Sequence, residues 1–424
     1  MKRPTPLWYR WELLVLFWLT YALHQIDRAI FGIQMKNIQT ELHLTDFQIG
    51  LSVQLLFIVM AVLVPIAGYV GDRYSKKWVI CFSLLFWSTA TALTGTARGI
   101  VEIIMFRSLA TGGGESFYGP ASTAMIAAFH KKTRAIALSI HQSAVYIAPM
   151  LAAYFGVVIG NLWGWRSVFF IFGGLGILLG IVLIVRLRES PSANNTGTQE
   201  LPKSMPAVET IPFWQAVKLI VRIPTVLLLT VGFTAVVFVN NAYLQFAPKY
   251  IEERFDVSHL VASTYGMSMH FAAAFAGVMI GAFLTDSIVT RWSSFRLVLQ
   301  TTVMFLGAPM IFLIGYVESP QTLWSVLFMF GLFRGLYESN THAAIFDVVP
   351  PKLRAMVVGL MLLAAMMIGS FSPTLFGYLG TYYGTANGVA LAFRLAAAIW
   401  VLGGFCVLSA LLCTFKNDRL KEIE

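Results

Sequence analysis

The chain has 424 residues, of which 58% are hydrophobic and only 12% are charged, and its mean hydropathy is +0.74. Because soluble domains carry about 25% charged residues, this composition excludes a water-soluble protein and predicts a polytopic membrane protein. The formal net charge of +10 would suit an acidic partner such as nucleic acid, but the positions of the basic residues explain it otherwise.

Twelve apolar segments follow one another along the chain, and a membrane span needs roughly 20 residues of this kind. They cover residues 11–35, 47–70, 78–97, 101–128, 135–160, 166–187, 225–247, 260–284, 297–316, 322–347, 355–380 and 389–413. The one long connection is rich in Pro, Ser, Asn and Thr, which predicts a flexible linker between six spans and six. The predicted order is an N-terminal tail (1–10), a six-helix bundle (11–188), the linker (189–212), a second six-helix bundle (213–415) and a C-terminal tail (416–424).

The basic residues predict the orientation of these spans. With both termini in the cytoplasm, the inner segments hold 21 of the 30 Lys and Arg residues, the outer segments hold six, and three lie within spans. Because cytoplasmic loops are enriched in Lys and Arg, we predict a multi-pass protein of the cell membrane, specifically a bacterial inner membrane, with cytoplasmic termini. The bias accounts for the net charge, so we expect membrane lipids as neighbours and no nucleic-acid partner.

The sequence lacks the patterns of several kinds of site. Cys81, Cys406 and Cys413 lie in apolar runs, which predicts no disulfide framework, no metal site and no cofactor. The loops hold no nucleophile–base spacing and are too short for a ligand-binding domain. We therefore expect neither an enzyme nor a receptor.

Ionisable residues interrupt three of the predicted spans, although a charge at the bilayer centre costs about 2.5–3.5 kcal/mol. Helical spacing places them on three polar stripes, which are His24, Asp27 and Arg28; Arg107 and Glu115; and Arg334, Glu338 and His342. Arginine cannot lose its proton and suits a fixed anion-binding role, whereas a carboxylate can take up a proton. The alternative is that these acids and bases pair only to hold helices together.

The polar side chains within the spans form the candidate site. The predicted substrate-binding residues are Arg28, Arg107, His141, Gln142, Tyr146, Asn240, Asn241, Tyr243 and Asn340, and the predicted proton-coupling residues are Asp27, Glu115 and His24. The amides and hydroxyls would bond to hydroxyl groups of a substrate. Arg334, Glu338 and His342 form a second polar cluster, and His270 is expected to serve helix packing. This set favours a proton-coupled symporter of a small organic anion.

The loop after the second span, "GYVGDRYSKKW" (Gly68–Trp78), holds the most specific motif of the chain. Its residues are Gly68, which would allow close helix packing, followed by Asp72, Arg73, Lys76 and Lys77. The motif resembles the signature loop of the major facilitator superfamily. That resemblance implies an all-α fold of twelve transmembrane helices in two six-helix bundles, which alternate in exposing a central cavity. Similar stretches in the fourth and tenth spans, "MFRSLATGGGES" and "LFRGLYES", support two related halves.

A narrower resemblance involves "IDRAIFGIQM" (Ile26–Met35) and "FRSLATGGGESFYGPA" (Phe106–Ala121). These stretches are similar to the anion:cation symporters, which carry sugar acids with protons, and to the spinster-like transporters of lysolipids. The resemblance implies that Arg107 binds a substrate carboxylate, that Asp27 and Glu115 carry the proton and that Arg28 tunes them. We expect a monomer, with an amphiphile carrier as the alternative function.

The sequence departs from both subfamilies at one point. Eight positions separate Arg107 from Glu115, whereas the usual spacing is seven. One extra residue turns a side chain by about 100° on a regular helix. We expect a bulge in the glycine run 112–114 to absorb it; otherwise Glu115 points away from the site.

Overall fold

The computed structural model describes residues 8–189 and 213–420. Within them the chain is helical and contains no β-strand, which confirms the predicted all-α class. Residues 1–7 of the predicted N-terminal tail, residues 190–212 of the predicted linker and residues 421–424 lie outside the described residues.

Ten α-helices and one π-helical segment make up the described part of the first half of the chain. They are α1 (Tyr9–Ile33), α2 (Met35–Leu42), α3 (Asp46–Arg73), α4 (Lys76–Thr94), α5 (Ile100–Glu102), a π segment (Ile103–Thr111), α6 (Gly112–Glu115), α7 (Tyr118–Phe129), α8 (Arg134–Gln142), α9 (Ala144–Trp163) and α10 (Trp165–Arg186). The fourth predicted span thus consists of α5, the π segment, α6 and α7.

The described second half contains ten further α-helices with one 3₁₀ turn and one π segment. They are α11 (Phe213–Val221), α12 (Pro224–Phe255), α13 (His259–Ile288), α14 (Phe295–Ile314), α15 (Pro320–Glu338), α16 (Thr341–Phe346), the 3₁₀ turn (Pro351–Leu353), α17 (Arg354–Gly369), α18 (Phe371–Tyr383), α19 (Thr385–Ser409), the π segment (Ala410–Thr414) and α20 (Phe415–Asp418).

Nine helical stretches of the described residues are long and apolar enough to cross a membrane. The three predicted spans missing from that set are the first, fourth and tenth, the spans that carry the ionisable residues. Their charges, and the irregular backbone of the fourth span, account for the difference. Polar groups within a span are tolerated where they face protein or a cavity rather than lipid.

Contacts between Cα atoms divide the chain into two compact units. Unit 1 comprises Met1–Ile30, Leu55–Ala152 and Ile159–Thr210. Its described core is apolar and packs α1 against α4, α7 and α10 through large side chains such as Phe17, Trp87 and Tyr118. This packing holds the polar face of α1 against the fourth span.

Unit 2 comprises Phe31–Gln54, Ala153–Val158 and Ile211–Glu424. It therefore contains the second half of the chain together with the predicted external ends of the first two spans and part of the fifth. Each unit consists of separate stretches of the chain, so its limits cannot be compared directly with those of two consecutive six-helix bundles. The limits of the bundles stay a prediction.

Small residues set the distance between α13 and α15 in unit 2. A Cβ atom on Gly331 would lie 2.1 Å from the carbonyl oxygen of His270, and one on Gly335 would lie 2.0 Å from that of Ala274. The two glycines are four residues apart and face one helix, the small-residue spacing that allows membrane helices to approach closely. This approach brings Arg334 next to α13.

Candidate functional site

Asp27 and Arg107 form a buried ion pair within unit 1. Arg107 donates from Nη1 to Asp27 Oδ2 at 2.8 Å and from Nη2 to the Asp27 carbonyl oxygen at 3.0 Å. The hydroxyl of Thr91 donates to the other carboxylate oxygen at 2.9 Å. Both charged residues are 3% exposed. These buried, charge-assisted hydrogen bonds hold the first span to the fourth.

Glu115 joins the same group of charges. Arg28 Nε donates to Glu115 Oε2 at 3.0 Å, and His24 Nε2 lies 3.4 Å from that oxygen. Glu115 therefore contacts α1 through His24 and Arg28, on the stripe that also carries Asp27. The structure thus brings two predicted stripes together in what we call the charged cluster: His24, Asp27, Arg28, Arg107 and Glu115.

A π-helical segment explains how Glu115 reaches this cluster. Residues Ile103–Thr111 form a π helix, and the hydroxyl of Thr111 donates to the carbonyl oxygen of Phe106, five residues back, at 2.9 Å. A π turn takes up one residue more than an α turn and so removes the offset of about 100°. The bulge lies upstream of the expected place, because the glycine run belongs to the regular helix Gly112–Glu115.

His141 belongs to an aromatic group beside the charged cluster. The hydroxyl of Tyr118 donates to the carbonyl oxygen of Phe17 at 2.8 Å and lies 3.0 Å from His141 Nε2. Since the hydroxyl has one proton, we infer that it accepts a bond from Nε2–H. The ring of Tyr21 stacks on His141 with centroids 4.5 Å apart, and within the described chain His141 Nδ1 has no partner.

Three other predicted substrate-binding residues differ in exposure. The side chain of Gln142 is exposed, and those of Tyr146 and Asn240 are half-buried. The Oδ1 atom of Asn240 is buried and accepts no hydrogen bond from the described residues. Their part in binding remains a prediction.

The remaining predicted substrate-binding residues join helices within unit 2. The hydroxyl of Tyr243 donates to the carbonyl oxygen of Gly266 at 2.6 Å, and Asn340 Nδ2 donates to the hydroxyl of Thr285 at 2.9 Å. Asn241 Nδ2 bonds at 3.4 Å to a backbone carbonyl at the end of α17. These groups are buried, and their bonds stabilise helix contacts inside the unit.

The second polar cluster also lies in unit 2. Arg334 donates from Nε to Glu338 Oε1 at 2.9 Å, and its Nη1 atom lies 2.9 Å from His270 Nε2. The guanidinium also lies over the ring of Phe271, 5.5 Å from its centroid. His342 is exposed, and His270 is the histidine that contacts Arg334.

The signature loop differs from expectation at its first residue. A Cβ atom on Gly68 would meet no described heavy atom within 4 Å, so close helix packing does not account for this glycine. Arg73 is exposed, and Lys76 and Lys77 are half-buried. The side chain of Asp72 lies outside the described part of the structure.

Sequence reasoning missed a polar group at the predicted external end of unit 2. Asp46 accepts hydrogen bonds from Lys249 Nζ at 2.6 Å, from Gln39 Nε2 at 2.7 Å and from the hydroxyl of Thr385 at 2.7 Å. Asp46 is 5% exposed and Lys249 8%. One sequence feature could have indicated this group. Asp46 is the first residue of α3, where the helix dipole favours negative charge.

A second ion pair lies on the same helices, at the predicted external end. Lys36 Nζ donates to Glu252 Oε1 at 2.6 Å, and His259 Nδ1 lies 2.7 Å from Glu252 Oε2. The hydrogen bond to Glu252 raises the pKa of Lys36. Together, the pairs of Asp46 and Lys36 join the beginning of the chain to α12 and α19.

The chain belongs to the Major Facilitator Superfamily, whose sequence profile matches residues 17–373. It is 29% identical over 234 residues to protein spinster homolog 1 of Homo sapiens, covering 54% of this chain and 43% of that protein. The chain therefore matches less than half the length of this relative.

Two bacterial relatives match nearly the whole chain. The probable sulfoacetate transporter SauU of Cupriavidus necator is 24% identical, over 92% of this chain and 91% of that protein. The probable galactarate/D-glucarate transporter GudP of Bacillus subtilis is 23% identical, over 94% and 91%.

A solved structure supports the fold. The crystal structure of a bacterial homolog of the human lysosomal transporter Spinster superposes with a TM-score of 0.84 at 22% identity, covering both chains completely. Together with the family assignment, this confirms the predicted major facilitator fold. The chain is therefore a multi-pass membrane protein of this superfamily.

Proposed function

We propose that the protein moves a small organic anion together with protons, and that the charged cluster of unit 1 carries both. The observation that supports this most is that each arginine of the cluster is bound to a carboxyl group of the protein itself. Arg107 bonds to Asp27, and Arg28 bonds to Glu115. An anion that binds either arginine must therefore compete with an internal carboxylate.

Charge balance links that competition to protons. Two arginines and two carboxylates are formally neutral together, and the cluster is largely buried. Adding one anion leaves an uncompensated charge, whose desolvation costs several kcal/mol. Protonation of Asp27 or Glu115 restores neutrality for a monoanion, and protonation of both does so for a dianion; each protonation releases an arginine for the anion. Binding of the anion and binding of a proton then favour each other.

The surroundings of Glu115 also favour a proton at this place. A carboxylate oxygen can only accept a hydrogen bond, whereas a protonated carboxyl group can also donate one. Glu115 Oε1 is buried and receives no donor from the described residues. Protonation of Glu115 would remove the negative charge that this buried oxygen carries without a donor.

The substrate class is proposed as a carboxylate-bearing organic anion such as a sugar acid. The relatives named for sulfoacetate and for galactarate or D-glucarate match more than nine-tenths of the chain, and all three compounds bear a carboxylate. Guanidinium groups bind carboxylates well because two parallel N–H donors match two oxygens.

Uptake into liposomes tests the proposal. The full chain is reconstituted, and labelled glucarate, galactarate and sulfoacetate are supplied with and without an imposed proton gradient. We expect one of them to accumulate only with the gradient. Asp27→Asn should abolish accumulation yet retain exchange of labelled for unlabelled substrate across the membrane.

Glu102→Gln is the matched control, because Glu102 is a carboxylate in α5 outside the charged cluster. It should accumulate substrate like the unsubstituted protein. Accumulation that ignores the gradient, or that persists in Asp27→Asn, would show that the cluster does not couple the two fluxes.

An amphiphile carrier is the second candidate function. The chain is 29% identical to human spinster homolog 1, compared with 24% and 23% for the two bacterial relatives. The same liposomes loaded with a labelled lysophospholipid distinguish the two. Movement of the lysolipid, without accumulation of any tested acid, would favour this candidate.

We further propose a monomer in a bacterial inner membrane with both termini in the cytoplasm. The 21-to-6 distribution of basic residues between the two sides supports this orientation. Single cysteines placed at Lys132 and at Arg98, in a protein without native cysteines, test it with a membrane-impermeant thiol reagent. Intact cells should label only the second position.

A further inference from the structure

An apolar groove of about 720 Å³ runs along unit 1, at the end that carries the signature loop. Three helical segments form its walls. The lining includes Leu63 of α3; Trp78, Phe82 and Phe86 of α4; and Gly113 and Phe117 of the fourth span. This volume falls within the range of about 300–1,000 Å³ typical of small-molecule sites.

The groove is open at the surface of the unit, and none of its lining residues belongs to the charged cluster. Phe82 is 62% exposed and Phe86 56%, although both are large apolar side chains. Of the three hydroxyl-bearing lining residues, Tyr74 is 62% exposed, and the two serines are already bonded. Ser83 donates to the carbonyl oxygen of Gly114 at 2.7 Å, and Ser75 bonds to Glu189. The walls therefore offer apolar surface and suit a hydrocarbon chain.

The end of the groove at the signature loop is basic. Arg73, Lys76 and Lys77 alternate in sequence with the lining residues, and two acids, Asp72 in the sequence and Glu189, accompany them. The Nζ atom of Lys77 lies 5.3 Å from the ring centroid of Trp78. A net positive charge thus sits where the apolar walls end.

We propose that this groove binds a resident anionic phospholipid, with one acyl chain between α3, α4 and the fourth span and the head group on the loop bases. With the loop on the cytoplasmic side, as proposed above, the site faces the leaflet where anionic lipids attract juxtamembrane Lys and Arg. The lipid is a bound component and not the transported substrate, so this site is independent of the charged cluster.

The absence of side chains in the glycine run makes room for the acyl chain. A Cβ atom on Gly113 would meet only Leu63 Cδ1, at 3.8 Å. Because Gly113 lines the groove and this Cβ position has no backbone atom of another segment within 4 Å, a larger side chain here would take up groove volume. Gly113→Leu is accordingly the substitution that fills the site, and Gly174→Leu is its control, because a Cβ atom at this α10 position meets nothing within 4 Å.

Native mass spectrometry of the detergent-solubilised full chain tests the proposal. The protein is titrated with an equimolar mixture of phosphatidylglycerol and phosphatidylcholine that carry the same acyl chains. We expect one phosphatidylglycerol to be retained in preference to phosphatidylcholine. Gly113→Leu should lose this bound lipid, whereas Gly174→Leu should keep it. Thermal unfolding of both variants shows whether they are folded.

Paired charge variants separate the head group from the chain. Lys76→Gln with Lys77→Gln should lower the preference for phosphatidylglycerol by roughly tenfold or more, since each basic residue near anionic lipid strengthens binding. Lys131→Gln with Lys132→Gln removes the same charge from the next loop of the same side and should change nothing. Equal retention of the two lipids by the unsubstituted protein, or unchanged retention by folded Gly113→Leu, overturns the proposal.

Discussion

Glu115 reaches Arg28, with Arg28 Nε 3.0 Å from Glu115 Oε2, on a helix that contains one residue too many for regular α-helical register. The π segment Ile103–Thr111 takes up that residue. π segments inside α-helices occur frequently at functional sites. Here the segment contains Arg107 and ends four residues before Glu115, so it determines which of these side chains face α1.

Replacement of Glu115 should separate transport from the proton gradient. Glu115→Gln keeps the size of the side chain and removes its ability to ionise, so we expect gradient-driven accumulation to fall while substrate exchange persists. Uptake into liposomes at several external pH values measures both. Accumulation in Glu115→Gln equal to that in Glu102→Gln would exclude Glu115 from the coupling.

The buried pair of Arg107 and Asp27 should contribute strongly to stability. Arg107→Gln leaves the Asp27 carboxylate without its arginine, and an unpaired buried charge costs about 3–5 kcal/mol. The double variant Arg107→Gln with Asp27→Asn should recover most of this loss but not transport. Unfolding in detergent measures the free energies, and a double variant as unstable as the single one would contradict this account.

The Asp46–Lys249 pair should matter more than the Lys36–Glu252 pair. Lys249→Met leaves buried Asp46 without its cation, and we expect a cost of about 3–5 kcal/mol. Lys36→Met removes a partly exposed pair and should cost less than about 1 kcal/mol. A similar loss of unfolding free energy in both variants would show that burial of the pair is not decisive.

The small effect of Lys36→Met should also be independent of pH in the ordinary assay range. The hydrogen bond to Glu252 raises the pKa of Lys36. A group with a raised folded pKa contributes fully below its unfolded pKa, about 10.4 for Lys, and loses this contribution only as the pH rises through the folded value. Unfolding at pH 6 and pH 8 should therefore show the same difference from the unsubstituted protein.

The approach of α13 to α15 should not tolerate a methyl group. Gly331→Ala places a Cβ atom 2.1 Å from the carbonyl oxygen of His270 and should destabilise unit 2. Gly359→Ala, where a Cβ atom meets nothing within 4 Å, should be neutral or stabilise its helix by up to about 1 kcal/mol. The measurement compares the melting temperatures of Gly331→Ala and Gly359→Ala. Equal values would contradict the packing argument.

The predicted features that the structure and the comparisons confirm depend on local patterns. Hydrophobic runs of span length predict helices wherever they occur, because the membrane requires every backbone polar group to be bonded within its segment. The signature motif also predicted the superfamily correctly. Its residues are contiguous, so the motif can be read from the sequence without knowledge of the fold. His24, Asp27 and Arg28 lie on one face because a single helix sets their spacing.

Tertiary structure alone decided which partners those side chains have. Thr91 is uncharged and belongs to no recognisable motif, yet its hydroxyl donates to Asp27. His270, expected to serve packing, lies against Arg334 because two glycines bring their helices together. Asp46 and Lys249 are 203 residues apart in sequence.

The sequence by itself determined the class of protein, the number of spans and the polar stripe of α1, because hydropathy and helical period are properties of neighbouring residues. It left the position of Glu115 open. The π turn in the fourth span determines that position. Whether the backbone forms an α or a π turn depends on how this span packs against its neighbours. The apolar groove beside Gly113 likewise depends on tertiary structure, because three separate segments of the chain form its walls.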